Sequence, residues 1–219
     1  MRPESPRAQI DVPNAMLVVG ALGLAVGIGT IVASAIAFAA ERDFSPLTTY
    51  ISDFGTAPGW PQAIFTAGML IAAPLRYLFL VLLLAQLGRL GASPAARATL
   101  LGVGAFVVLG SIGTAAVPFT LDRPTHMGSA FLYFFGTVVL QAGLAVQEWR
   151  LRLPAVLPVT SLAVVAVYFV FAALLALVGR VEGIDRDTPV PFEWLAFAAL
   201  MFWLAAHTLV LGAKQPPHG

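Results

Sequence analysis

Six long, charge-poor apolar runs leave this chain little choice of fold. They cover roughly residues 15–40, 60–88, 98–119, 126–147, 155–179 and 193–213. Each is long enough to cross a hydrocarbon layer, which takes about 20 apolar residues in a helix. Backbone facing lipid finds no water to bond, so each run must satisfy its own N–H and C=O groups, and all six are expected to be α-helices. Composition agrees: 11% of the 219 residues are charged, against about a quarter in a soluble domain. The expected fold class is all-α, a polytopic membrane protein. It reads as one six-helix domain over 15–213 with tails at 1–14 and 214–219.

Composition also removes several functions. A net charge of +1 leaves no footprint for nucleic acid. The chain has no cysteine, hence no disulfide or thiolate site. A catalytic zinc usually takes three protein ligands, mostly histidine. Here the only histidines are His126, His207 and His218, with His218 in the tail and His207 deep in the last run. Neither a metal nor another cofactor is expected. Membrane lipids are the expected partners, and no feature specifies an oligomeric state.

Orientation follows from Lys and Arg placement. With both termini on one side, that side holds Arg2, Arg7, Arg89, Arg97, Arg150, Arg152 and Lys214, and the other holds Arg42, Arg123, Arg180 and Arg186. The asymmetry predicts a multi-pass protein of the cell membrane with cytoplasmic termini. Ala37-Phe38-Ala39 resembles a signal-peptidase site, but the apolar run before it far exceeds a signal's 7–15 residues, so an uncleaved first span is the better reading. Gly23 and Gly27, and later Gly110 and Gly113, sit at spacings that let helices approach closely in lipid. No strand precedes either glycine run, which excludes a dinucleotide fingerprint.

Between the first two runs lies SPLTTYISDFG, residues 45–55. Ser45-Pro46 is a helix start and Gly55 a stop. Leu47, Tyr50, Ile51 and Phe54 form one apolar face, with Thr49, Ser52, Asp53 and Thr56 opposite. An amphipathic helix over 46–54, lying at the interface, is therefore expected. It either seals that end of the bundle as a lid or turns Ser52 and Asp53 into a polar pocket. Asp122 and His126, at the start of the fourth run, fall at the same membrane depth as Asp53. Two carboxylates and a histidine can hold a metal, act as acid and base, or simply bond a loop.

Arg76 is the most informative residue inside a run. A mid-membrane arginine costs about 2.5–3.5 kcal/mol on insertion scales. No Asp or Glu falls within any predicted span core to pair with it. Its partners would be backbone carbonyls, polar side chains, water or a bound anion, unless it snorkels to the headgroups. Pro74, two residues earlier, frees the carbonyl of Leu70. Ser111, Gln141 and His207 fall near the same depth, so with Arg76 they could line one hydrated cavity.

These residues carry a resemblance. YISDFG followed by IFTAG, then His126 spaced to Phe134-Phe135, is similar to the Frag/DRAM/Sfk group of six-span proteins. It also resembles the prokaryotic family called domain of unknown function 998, over roughly residues 15–213. The eukaryotic relatives are linked to lipid remodelling and organisation, so the resemblance implies lipid handling by analogy. It brings no catalytic residues with it. The leading expectation is a lipid-interacting membrane protein with a polar cavity using Arg76, Ser52, Ser111, Gln141 and His207. The alternatives are an enzyme acting on lipid headgroups through Asp53, Asp122 and His126, a small transporter, and a scaffold with a dry interior.

Overall fold

Every apolar run forms an α-helix in the computed structural model, which describes residues 11–213. The helices are α1 (Val12–Ala39), α2 (Trp60–Arg89), α3 (Pro94–Ala116), α4 (Arg123–Arg150), α5 (Val156–Leu177) and α6 (Val190–Gly212). All six are long and apolar enough to span a membrane. Local sequence sets their ends. Asp11, Ser93 and Asp122 accept the N–H groups of Asn14, Ala96 and Thr125, satisfying donors that a helix start leaves free. The chain then turns sharply after α2 at Gly91, where φ is 107°, a backbone conformation open mainly to glycine. Arg2, Arg7 and Lys214, which contributed to the orientation reading, lie outside the described residues, as do residues 1–10 and 214–219 of the two tails.

Each helix packs against its neighbours along the chain, and α1 also packs against α6. The six therefore form a closed ring. Consecutive helices run in opposite directions, which gives the ring two ends. One end, the loop face, carries the connections 40–59, 117–122 and 178–189. The other, the terminal face, carries 90–93 and 151–155. Large apolar side chains such as Leu22, Phe106, Leu109, Phe169, Phe202 and Leu209 point outward and stay exposed. Lipid is the solvent that such a surface requires.

Glycines close the ring. Gly20, Gly23 and Gly27 form one stripe on α1, against Thr208, Leu204 and Met201 of α6. Gly68 of α2 faces Thr30 of α1. Gly110 of α3 meets the backbone of α4 itself, where an added Cβ would lie 2.5 Å from Tyr133 N and 2.7 Å from the Ser129 carbonyl. Gly23 and Gly27 thus pack as expected, and only the fold identifies α6 as their partner.

The stretch 46–54 is not one continuous amphipathic helix. A turn occupies 46–48 and a short 3-10 helix follows over Ile51–Gly55. The expected apolar face is kept in part: Tyr50, Ile51 and Phe54 are buried, whereas Leu47 is 63% exposed. Nine residues are too few for a stable α-helix, and here side-chain bonds decide the path instead. Ser45 Oγ accepts the Leu47 N–H, and Asp53 Oδ2 accepts the Tyr50 N–H at 3.0 Å. Phe54, with Phe38, Phe65 and the adjacent Phe44 and Trp194, builds an aromatic plug over the loop end of the ring.

The α5–α6 connection ties this plug down. Arg186 Nη2 donates to Asp53 Oδ2 at 2.8 Å, its Nη1 donates to the Thr48 carbonyl, and its guanidinium lies 5.0 Å from the Tyr50 ring centre. Tyr50 returns its hydroxyl proton to the Arg186 carbonyl at 2.6 Å. Trp194 Nε1 donates to the Thr49 carbonyl, and Ile51 N–H to Glu193 Oε2. Burial first, then the Glu193 carboxylate, push the Tyr50 phenol up from 10.0 to about 12. The folded protein therefore holds this proton more tightly than the unfolded chain does. Its contribution to stability is intact below pH 10 and is lost as pH climbs from 10 toward 12. The difference in phenolate absorbance between wild type and Tyr50→Phe should titrate near 12; a midpoint near 10 would mean that the plug is open.

Candidate functional site

A ring of helices encloses a centre, and here that centre is not fully packed. A cavity of about 50 Å³ lies among α2, α3, α4 and α6. Its walls are mainly apolar, including Phe79, Leu80, Leu140, Leu200, Leu204 and Trp203. Arg76, Tyr77, Ser111, Tyr133, Thr137 and Gln141 are the polar side chains of its lining. Three of the residues expected to share a cavity, Arg76, Ser111 and Gln141, do so.

Arg76 lies sixteen residues beyond Trp60 in the 30-residue α2, near mid-helix. The helix continues through Pro74. The guanidinium donates from Nη2 to Ser111 Oγ at 2.9 Å and sits 6.0 Å from the Tyr133 ring centre. The Tyr133 hydroxyl is in turn 3.1 Å from that of Tyr168 on α5. Among the described residues no carboxylate pairs with Arg76, and Gln141 Oε1 is buried with no hydrogen-bond partner.

His207 is placed elsewhere and does not line the cavity. Its partner is Glu148, a buried intramembrane carboxylate that the sequence reading did not anticipate. The fourth helix runs on to Arg150, past the expected end at 147, and carries Glu148 into the ring. There Glu148 Oε1 lies 2.7 Å from His207 Nε2, and Oε2 accepts the Ser161 hydroxyl at 3.0 Å. Ser161 Oγ accepts Trp203 Nε1–H at 3.0 Å, and His207 Nδ1 is 2.8 Å from the Trp203 carbonyl. Glu148, Ser161 and His207 are all 0% exposed.

Hydrogen-bond complementarity counts the protons in this network. The Trp203 carbonyl can only accept, so Nδ1 carries a hydrogen. One further proton lies between Nε2 and Oε1, as either an imidazolium–carboxylate or an imidazole–carboxylic acid pair. Every polar atom then has a partner, the condition for tolerating such burial. A sequence signal did exist: Thr137, Gln141, Leu144 and Glu148 recur at helical spacing on one face of α4, and all four are buried.

The residues proposed for headgroup chemistry are each engaged by bonds of their own. Asp53 caps the 3-10 helix and pairs with Arg186. Asp122 caps α4 and accepts the Thr125 hydroxyl at 2.7 Å. His126 bonds the Val117 carbonyl through Nδ1 at 2.8 Å and packs edge-on against Phe119, closing the α3–α4 turn. Ser52 lies beside the Glu193 carboxylate in the plug, away from the cavity. Among the described residues no three His, Cys, Asp or Glu side chains are grouped closely enough to hold a metal ion, so Asp53, Asp122 and His126 do not converge on one.

No curated protein and no solved structure matches this chain. A family model does, over residues 24–210, which takes in nearly the whole ring. A six-span membrane bundle with that match is a member of the family described as protein of unknown function DUF998.

Proposed function

We propose that this protein binds and handles membrane lipid through the cavity at the centre of its ring, in a cell membrane and with both termini cytoplasmic. The observation that carries the reading is an apolar-walled cavity, midway along membrane-crossing helices, holding a guanidinium with no carboxylate partner among the described residues. A water-soluble solute would want polar walls, whereas Phe79, Leu80, Leu140 and Leu200 suit hydrocarbon. A scaffold with a dry, fully packed interior has less support, since the ring centre is open. So does a headgroup enzyme built on Asp53, Asp122 and His126, because each of the three is occupied by its own local bonds. The likeness of ISDFG and the His126 region to the Frag/DRAM/Sfk group points the same way, and the Lys and Arg asymmetry supports the orientation.

The test is lipid retention. Protein purified in a mild neutral detergent is expected to carry a near-stoichiometric lipid, detectable by mass spectrometry after extraction. Arg76→Ala should lose most of it. Retention of no specific lipid by the wild type, with stability untouched in the variant, would sink the reading.

A further inference from the structure

Three polar side chains of the cavity keep bonding capacity that the described residues leave unused, and their chemistry describes what the cavity takes. The Arg76 guanidinium has five N–H donors, and in the described residues one of them reaches a side-chain acceptor, Ser111 Oγ. Having accepted that bond, Ser111 still has its own hydroxyl proton to give. On α4 Gln141, 1% exposed, holds an Oε1 that no donor among the described residues reaches. A buried polar atom without a partner is rare and calls for one, and Gln141 Oε1 is such an atom, whereas the half-buried Arg76 keeps N–H donors free to face the cavity. The missing pieces are thus an anionic oxygen opposite Arg76 and Ser111, and an O–H or N–H donor opposite Gln141.

The rest of the lining fixes the kind of molecule. Phe79, Leu80, Leu140, Leu200 and Leu204 offer only hydrocarbon contacts. The volume of about 50 Å³ is several times the roughly 10–15 Å³ that one water needs. That is room for a polar head and the first stretch of one chain, whose remainder leaves through the cavity's open side, and too little for two acyl chains side by side. Resting on the lipid reading above, we propose that the ring centre is a binding site for a single-chain anionic amphiphile. Its oxyanion, phosphate or carboxylate, sits on Arg76 and Ser111, and a neighbouring hydroxyl of the ligand donates to Gln141 Oε1. A lysophospholipid with a free phosphate satisfies all three groups. A fatty acid satisfies the cation but not Gln141.

The test uses the full chain, delipidated in neutral detergent, with binding read by native mass spectrometry and thermal shift. The probes are oleoyl lysophosphatidate, oleate, oleoyl lysophosphatidylcholine, monoolein and inorganic phosphate. Lysophosphatidate is expected to bind tightest. Arg76→Gln should weaken lysophosphatidate and oleate by about 10- to 100-fold, the range for a lost charged hydrogen bond, and leave monoolein unchanged. Arg76→Lys should retain part of the affinity. Gln141→Leu should weaken lysophosphatidate several-fold and leave oleate as it was, separating the hydroxyl from the charge. Val108→Phe, which adds bulk to the cavity from α3 and leaves the Arg76 charge in place, should abolish binding of every amphiphile while the helical circular dichroism spectrum persists.

Equal binding of monoolein and lysophosphatidate, or an Arg76→Gln protein that binds the anions as well as wild type, overturns the charge assignment and leaves the lipid reading standing. Inorganic phosphate binding as tightly as lysophosphatidate overturns the acyl-chain part. Failure of every amphiphile to bind the wild type overturns both this proposal and the lipid reading.

Discussion

Glu148→Ala is expected to destabilise the folded protein by about 2–5 kcal/mol, the range from stranding two buried hydrogen-bonding groups to removing one partner of a buried ion pair. The carboxylate is the hub that joins α4 to Ser161 of α5 and His207 of α6. Without it, His207 Nε2 and the Ser161 hydroxyl are left in an environment from which water is excluded. Much of the loss is the desolvation of those stranded groups. Glu148→Gln should be far milder. A glutamine amide can donate to a neutral imidazole Nε2 while its oxygen accepts from Ser161, so the network stays closed. The double variant Glu148→Ala with His207→Ala should lose less than the sum of the two single changes, because each single change strands the other partner. Detergent-based thermal or SDS unfolding of the wild type and the four variants makes the comparison. Equal losses for Ala and Gln at 148 would show that volume, and not bonding, is what Glu148 contributes.

The second large effect belongs to Gly110. An added Cβ there meets the α4 backbone at Tyr133 N and the Ser129 carbonyl, atoms that cannot rotate away as a side-chain tip can. Gly110→Ala should therefore push α3 and α4 apart. Overpacking of this kind costs about 1–3 kcal/mol, with Val at the upper end or beyond. Because Ser111 is the next residue and Tyr133 faces it, the same shift should loosen the Arg76 setting. Gly102 and Gly128 are the controls on the same two helices. Nothing lies within 4 Å of a Cβ at either, so alanine there should be neutral or stabilising by up to about 1 kcal/mol, from helix propensity alone. If Gly110→Ala unfolds no earlier than Gly128→Ala, the close α3–α4 contact is not what holds the ring.

Much of this was legible in the sequence, because lipid leaves a backbone few options. Six apolar runs of spanning length had to be helices, but α1, α3 and α4 begin at Val12, Pro94 and Arg123, ahead of the runs expected from 15, 98 and 126, because capping by Asp11, Ser93 and Asp122 and not apolarity sets a helix start. The shared position of Arg76, Ser111 and Gln141 was also readable, since depth along a helix follows from residue count. Misreadings came where depth was used as a substitute for direction. Asp53, Asp122 and His126 sit toward the same face of the membrane, yet each turns to a different partner around the ring. The segment 46–54 had helical spacing, but a stretch that short takes its shape from Ser45, Asp53 and Arg186 and not from periodicity.

By itself, then, the sequence determined the helices, their number and their order across the membrane, because those depend on hydrogen bonding within each segment and on transfer from water. Only the tertiary structure decided which faces meet. Closing α1 onto α6 made a ring with a centre, and so turned Arg76 toward a cavity rather than toward lipid headgroups. The same closure gave His207 a buried glutamate from just beyond the expected end of its helix. Rotation about a helix axis is settled by packing between segments distant in the chain, where a glycine admits a neighbour or an unpaired polar atom demands one.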